Sequence, residues 1–107
     1  MGKREKLSLN VDSDGGSAVL AVLAPLDAED ADSFSALCEE MLAAKANELV
    51  IELHEVSTIR SLFYGLISYL HFEAEKAGKS LTVRCNEETA RGFKLFEFDK
   101  YLTMEIV

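Results

Sequence analysis

Leu7-Ser8-Leu9-Asn10-Val11 alternates apolar with polar residues at period two, the pattern of a strand with one covered face. The cluster Asp12-Ser13-Asp14-Gly15-Gly16 reads as a turn and residues 18–24 as a continuously apolar strand, so the chain predicts an opening hairpin that Pro25 ends. Asp27 is placed to cap a helix, with Asp30 three residues on and Glu29 and Asp32 adding charge that suits the positive end of the dipole. Along that helix Phe34, Leu37, Cys38, Met41, Leu42 and the stem of Lys45 make an apolar stripe, while Ser33, Glu39 and Glu40 face water. Residues 49–53, Leu-Val-Ile-Glu-Leu, follow as a central strand that leaves through a loop over residues 55–60. A second helix runs from Ser61 to about Ala77, where Gly78 stops it. Residues 81–85 alternate again, Asn86 caps a third helix reaching about Phe98, and residues 104–107 make a last short strand. The order ββαβαβαβ predicts an α/β fold: a mostly parallel sheet that starts with a β-hairpin and carries its helices mainly on one face.

The second helix is apolar nearly all round. Leu62, Phe63, Leu66, Ile67, Leu70, Ala74 and Ala77 fill a core-facing stripe, which turns Tyr64, Tyr69 and Phe72 elsewhere. Either loops and neighbouring helices flank those rings, or they form an interface for a protein partner or a second copy of the chain. In open α/β sheets, ligands and partners gather where strands end and helices begin, which directs attention to Arg60 and Ser61. Ser61 is expected to be the N-cap, its hydroxyl accepting a bond from an unpaired N–H; a phosphate there would meet the same N–H groups.

Three segments carry a family resemblance. The strand Val50-Ile51-Glu52-Leu53 with the helix around Gly65-Leu66-Ile67, the stretch Ala24-Pro25-Leu26-Asp27-Ala28, and Ala77-Gly78-Lys79-Ser80-Leu81-Thr82-Val83 together resemble the STAS domain of bacterial anti-sigma-factor antagonists and sulfate-transporter tails. The similarity runs over residues 7–107 and implies a STAS-like fold. It aligns Ser61 with the serine that a partner kinase phosphorylates in such antagonists, and Asp27 with an acid near that serine. It also implies that partners dock around the second helix and the loop before it, by Asp27, Arg60, Ser61, Leu62, Phe63, Tyr64, Tyr69 and Phe72. At the turn the family reads Asp-Ser-Ser-Gly-Leu-Gly, whereas this chain reads Arg60-Ser61-Leu62-Phe63-Tyr64-Gly65. The acid ahead of the serine has become a cation, and a kinase selecting that acid meets the wrong sign.

With 107 residues the chain is expected to be one domain, residues 1–107. A net charge of −8 repels phosphate backbones and anionic lipid, so neither nucleic acid nor a membrane surface is the expected partner. No apolar run approaches the roughly 20 residues of a membrane span and the N-terminal stretch lacks a signal peptide's apolar segment, which makes a cytoplasmic location the expectation. Gly2 follows Met1, but Lys6 stands where a myristoylation signal needs Ser or Thr. Cys38 and Cys85 lie in separate elements and read as buried hydrophobes. His54 and His71 lack the spacing of a zinc pair, Gly15-Gly16 belongs to a hairpin rather than a phosphate loop, and no nucleophile lies beside a base in the sequence. Neither a catalytic residue nor a cofactor or metal site is expected. The leading expectation is a non-enzymatic regulator that binds an anti-sigma factor or serine kinase and is switched by phosphorylation of Ser61. The alternatives are an unphosphorylated STAS subunit of a lipid-transport ABC complex or stress-signalling scaffold, and a carrier of lipid or another small molecule in an apolar pocket beneath the second helix.

Overall fold

The computed structural model describes residues 6–12, 14, 16–56 and 59–107. The N-terminal stretch with Gly2, part of the hairpin turn (Ser13, Gly15) and part of the loop ahead of the second helix (Ser57, Thr58) lie outside the described residues. The elements are β1 (Leu7–Asp12), β2 (Ser17–Val22), α1 (Ala31–Ala43), β3 (Glu48–Glu52), α2 (Ser61–Lys76), β4 (Ser80–Cys85), α3 (Glu87–Leu95) and β5 (Thr103–Ile106), with short 3₁₀ turns at Ala28–Asp30 and Phe98–Lys100.

The five strands lie in sequence order, β1-β2-β3-β4-β5. The β1–β2 pair is antiparallel and the other three pairs are parallel, as the alternation of strands and helices predicted. Register explains why one face is buried. Leu9, Leu20, Ile51, Val83 and Met104 stand side by side in a single row across all five strands, and the rows beside it hold Ala18, Leu49, Leu81 and Cys85. In β2, β3 and β4 every second residue is buried, so all three helices cover one face. Onto this face α1 brings Phe34, Cys38 and Met41, α2 brings Phe63, Ile67, Leu70 and Ala74, and α3 brings Ala90 and Phe93. Burying a side chain of this size stabilises by about 1.5–3 kcal/mol. The opposite face carries the row Ser8, Ala21, Glu52, Arg84 and Glu105, where Arg84 bridges Glu52 at 2.9 Å and Glu105 at 2.8 Å.

Several boundaries differ from the sequence pattern. β2 ends at Val22, leaving Leu23 43% exposed, because the alternating face rather than the apolar run sets the strand. Asp27 caps a 3₁₀ turn rather than α1 itself: its N–H donates to Asp30 Oδ2 at 2.7 Å, and the Asp30 N–H returns a bond to the Asp27 carbonyl at 2.9 Å. Lys45 is exposed, lying beyond the end of α1. α3 stops at Leu95, three residues before Phe98, and Glu97 takes a left-handed φ of 61° that begins the second 3₁₀ turn. Gly78, at φ 73°, ends α2 as expected, since a residue without Cβ adopts that conformation without strain.

Candidate functional site

The carboxyl end of β3 is held by α3. Asn86 Oδ1 accepts the Thr89 N–H at 3.0 Å, which caps α3, while its Nδ2 donates to the carbonyls of Val56 at 2.8 Å and His54 at 3.3 Å. Thr89, fully buried, donates its hydroxyl to the same Val56 carbonyl at 3.1 Å. Val56 is buried and Ile59 packs on the core, so apolar anchors flank the loop segment that leads into α2. The sequence pattern identified Asn86 as a cap but gave no sign of this second task, because nothing in the spacing says that the two loops adjoin.

Helix α2 starts one residue earlier in register than the capping pattern predicts. Arg60, extended at φ −70° and ψ 152°, is the N-cap residue; Ser61 is the first helical residue and exposed. The Phe63 N–H bonds to the Arg60 carbonyl at 2.9 Å, and the Arg60 side chain makes no capping bond. The expected capping role of Ser61 is therefore corrected: with helical backbone angles its hydroxyl is not positioned as an N-cap oxygen is. The first turn of α2 also lacks an acidic residue.

Arg60 and Asp27 meet across this turn, Nη2 to Oδ1 at 3.6 Å, and Lys6 stands on the other side of Asp27, 3.8 Å from its Oδ2 and 3.0 Å from Asp30 Oδ2. The hydrogen bond to Asp30 holds the Lys6 ammonium above its usual pKa. With the side chains of Arg60 and Asp27 62% and 58% exposed, their pair is screened by water and contributes at most about 1 kcal/mol. Its effect is on charge: the exposed cation of Arg60 is matched by the carboxylate of Asp27.

Rotation of α2 about its axis separates the remaining candidates. Phe63, Ile67, Leu70 and Ala74 form the core stripe, and Phe63 meets Phe34 edge-on with ring centres 5.4 Å apart. Leu62, 45% exposed, and Ala77, also exposed, were expected in that stripe and are not. Tyr64, expected to point away from the core, is buried against α3. Its ring packs on Phe93 and Phe96, its hydroxyl donates to the Thr89 carbonyl at 3.4 Å, and burial raises its pKa. The reason is that α3 supplies a second wall, so the buried arc of α2 spans Phe63 through Tyr64 rather than Leu62 through Phe63. Ser68, buried on this flank, shares a 2.5 Å hydrogen bond with the Tyr101 hydroxyl. Tyr69 and Phe72 remain exposed, at 64% and 45%.

The outer surface of α2 thus carries Arg60, Ser61, Leu62 and Tyr69, with Asp27 beside them, and Phe72 lies further along the helix against Tyr101. Gly65 sits among them with open space above it. Between α1 and α2 runs a largely apolar groove of about 140 Å³ lined by Ser35, Cys38, Glu39, Leu42, Leu66, Tyr69 and Leu70. Small-molecule sites usually offer about 300–1,000 Å³, so this groove is short for a lipid chain. Burial pushes the Cys38 thiol up to about 12, far from a reactive thiolate, and raises Cys85 as well. His54 pairs with Glu52, and His71 lies 3.7 Å from Glu75 against the rings of Phe72 and Tyr101. Among the described residues no cluster of His, Cys, Asp and Glu could hold a metal ion, and no helix is long and apolar enough to cross a membrane.

By sequence the chain matches no family model and no curated protein. Its structure is similar to that of an anti-sigma factor antagonist from Mycobacterium paratuberculosis, with a TM-score of 0.80 at 20% identity over 94% of this chain and 86% of that one. It is also similar to a putative anti-sigma factor antagonist from Thermotoga maritima, with a TM-score of 0.79 at 19% identity over 92% and 84% of the two chains. An NMR structure of the same Thermotoga protein covers 100% of this chain with a TM-score of 0.80 at 18% identity. The chain has the STAS fold of these proteins, as the three resembling segments implied.

Proposed function

We propose that this chain is a non-enzymatic regulatory module that binds a protein partner, in the manner of an anti-sigma-factor antagonist, through the start of α2 and the loop before it. One observation carries the reading: on a STAS fold, the helix at the carboxyl end of β3 presents Leu62 and Tyr69 to solvent beside the charged Asp27–Arg60 pair. Exposed apolar side chains rimmed by charge are what a protein interface offers before its partner arrives. The partner is an anti-sigma factor or serine kinase of the host cell, met in the cytoplasm.

Phosphorylation of Ser61 is the switch that this site accommodates. A phosphate on an exposed residue of the first turn would lie near the N–H groups of the helix start, in a turn free of acids, and next to Arg60. It would compete with Asp27 for that guanidinium and place a desolvation cost at the centre of an apolar contact. The Asp27–Arg60 pair favours a second reading, in which the cation is a fixed substitute for the switch and the chain is an unphosphorylated subunit of a larger assembly, such as a lipid-transport ABC complex or stress-signalling scaffold. The 140 Å³ groove gives the small-molecule carrier less support.

Titration calorimetry against an anti-sigma factor or serine kinase of the same organism tests the binding. Leu62→Ala and Tyr69→Ala should each weaken it at least tenfold with the fold intact. Because Ser61 caps nothing, Ser61→Asp should leave stability within about 0.5 kcal/mol of wild type and act on affinity alone. Incubation with the kinase and ATP, read by intact mass, should add one phosphate to wild type and none to Ser61→Ala. No phosphate on wild type or on Arg60→Asp, with affinity indifferent to Ser61→Asp, would favour the assembly subunit. Affinity untouched by Leu62→Ala and Tyr69→Ala would sink the α2 interface.

A further inference from the structure

We propose that the outer edge of β1 is a dimerisation edge, on which the β1 of a second copy pairs antiparallel with Leu9 opposite its own counterpart. The sheet has two edges, and they are finished differently. β5 is four residues long, with Glu105 tied to Arg84. β1 is six residues long, runs in unbroken register from Leu7↔Val22 to Asp12↔Ser17, and has no proline, no bulge and no charge between Lys6 and Asp12. Sheet edges that must stay single are normally shortened, bent or charged to prevent pairing, and β1 is none of these.

Hydrogen-bond direction selects which residues are free to pair. The Lys6 carbonyl accepts from Leu23 and the Asp12 carbonyl from Gly16, so both point inward toward β2. In an antiparallel ladder this direction alternates, which turns the N–H and C=O groups of Leu7, Leu9 and Val11 outward. Among the described residues no strand takes them up. Joining two copies about a two-fold axis perpendicular to the sheet requires residues of the same face to stand opposite one another. Centred on Leu9, the strand meets that condition over its whole length. Leu9 faces Leu9, Leu7 faces Val11, Ser8 faces Asn10, and Lys6 faces Asp12 at both ends.

The register is thus matched in three respects. It gives up to about six backbone hydrogen bonds from groups that point outward. It sets apolar against apolar along the helix-bearing face, covering Val11, which is 46% exposed in the single chain. It sets opposite charges against each other at each end, without taking Lys6 from Asp30, since an ammonium has three protons to donate. Shifting the centre by two residues either way shortens the ladder and separates the charges. An edge about 20 Å long buries much less than the roughly 800 Å² per partner of a standard interface, so the dimer is weak and forms at high local concentration.

Two experiments on the full chain test this. Sedimentation equilibrium from micromolar to millimolar protein should show the mass rising from 11.8 kDa toward twice that value. Leu9→Pro should abolish the rise while circular dichroism stays native, because the N–H it removes points away from β2. Independently, mixing Ser8→Cys with Asn10→Cys chains under mild oxidation should give a disulfide heterodimer, and neither variant alone should give as much as a tenth of it. Those positions form a non-hydrogen-bonded pair about 4.5 Å apart at Cα in this register and no other. A constant 11.8 kDa mass together with no mixed disulfide overturns the proposal, and so does association that Leu9→Pro leaves unchanged.

Discussion

Two glycines in helices should respond to alanine with opposite sign. In an isolated helix either change would stabilise by about 1 kcal/mol, because alanine loses less backbone entropy on ordering. At Gly65 in α2 a Cβ meets nothing within 4 Å, so Gly65→Ala should realise that gain. At Gly92 in α3 a Cβ would stand 1.8 Å from Tyr64 Oη, 2.4 Å from Cζ and 3.0 Å from Cε1. The ring cannot swing aside cheaply: it is buried, edge-on to Phe93 at 4.6 Å and packed on Phe96 at 5.3 Å. Overpacking of this kind costs typically about 1–3 kcal/mol, and the Tyr64–Thr89 hydrogen bond, worth about 1 kcal/mol, goes with it. Against the helix gain, Gly92→Ala should lose about 2 kcal/mol net. Urea unfolding would read this as a fall in midpoint at constant m, and a thermal scan as a drop on the order of 10 °C. Tyr64→Leu destabilises by itself, yet in that background Gly92→Ala should recover part of the helix gain, giving a coupling of at least about 1 kcal/mol. If Gly92→Ala stabilises the wild-type chain as Gly65→Ala does, the account of how α3 packs on α2 is wrong.

Asn86→Ala removes the α3 cap and the two donors that hold the His54 and Val56 carbonyls, so it should cost about 2 kcal/mol or more and speed amide exchange in the β3–α2 loop; unchanged exchange there would refute the anchoring role. The Cys38 thiol, raised from 9.0 to about 12, keeps its proton in the folded chain at pH values where the unfolded chain has lost it. Its contribution to stability is therefore complete below pH 9 and is lost as the pH rises toward 12, and Cys38→Ala, at some cost from the cavity, should flatten that part of the pH profile measured by urea unfolding. The Asp27–Arg60 pair, exposed on both sides, should show a coupling of under about 1 kcal/mol in a double-mutant cycle, decreasing with salt; a larger, salt-independent value would mean that the pair is shielded from water.

Hydrophobic periodicity and turn chemistry by themselves determined the order of strands and helices, the opening hairpin, the glycine that ends α2 and the asparagine that caps α3, because each depends on residues within a turn or two of one another. The resemblance of three local segments also sufficed for the STAS fold. What tertiary structure alone decided was orientation. Leu62 and Tyr64 are equally apolar to a periodicity argument, and only the presence of α3 as a second wall buries Tyr64 and leaves Leu62 in water. Ser61 has the chemistry of a cap, but Arg60 takes the extended backbone of the N-cap and Ser61 the first helical position. The links from Asp27 to Arg60, and from Asn86 and Thr89 to Val56, join residues 30 or more positions apart. Local spacing carries no information about such contacts. They exist because parallel strands, set in register by their buried rows, bring their carboxyl ends and the loops that leave them to the same edge of the sheet.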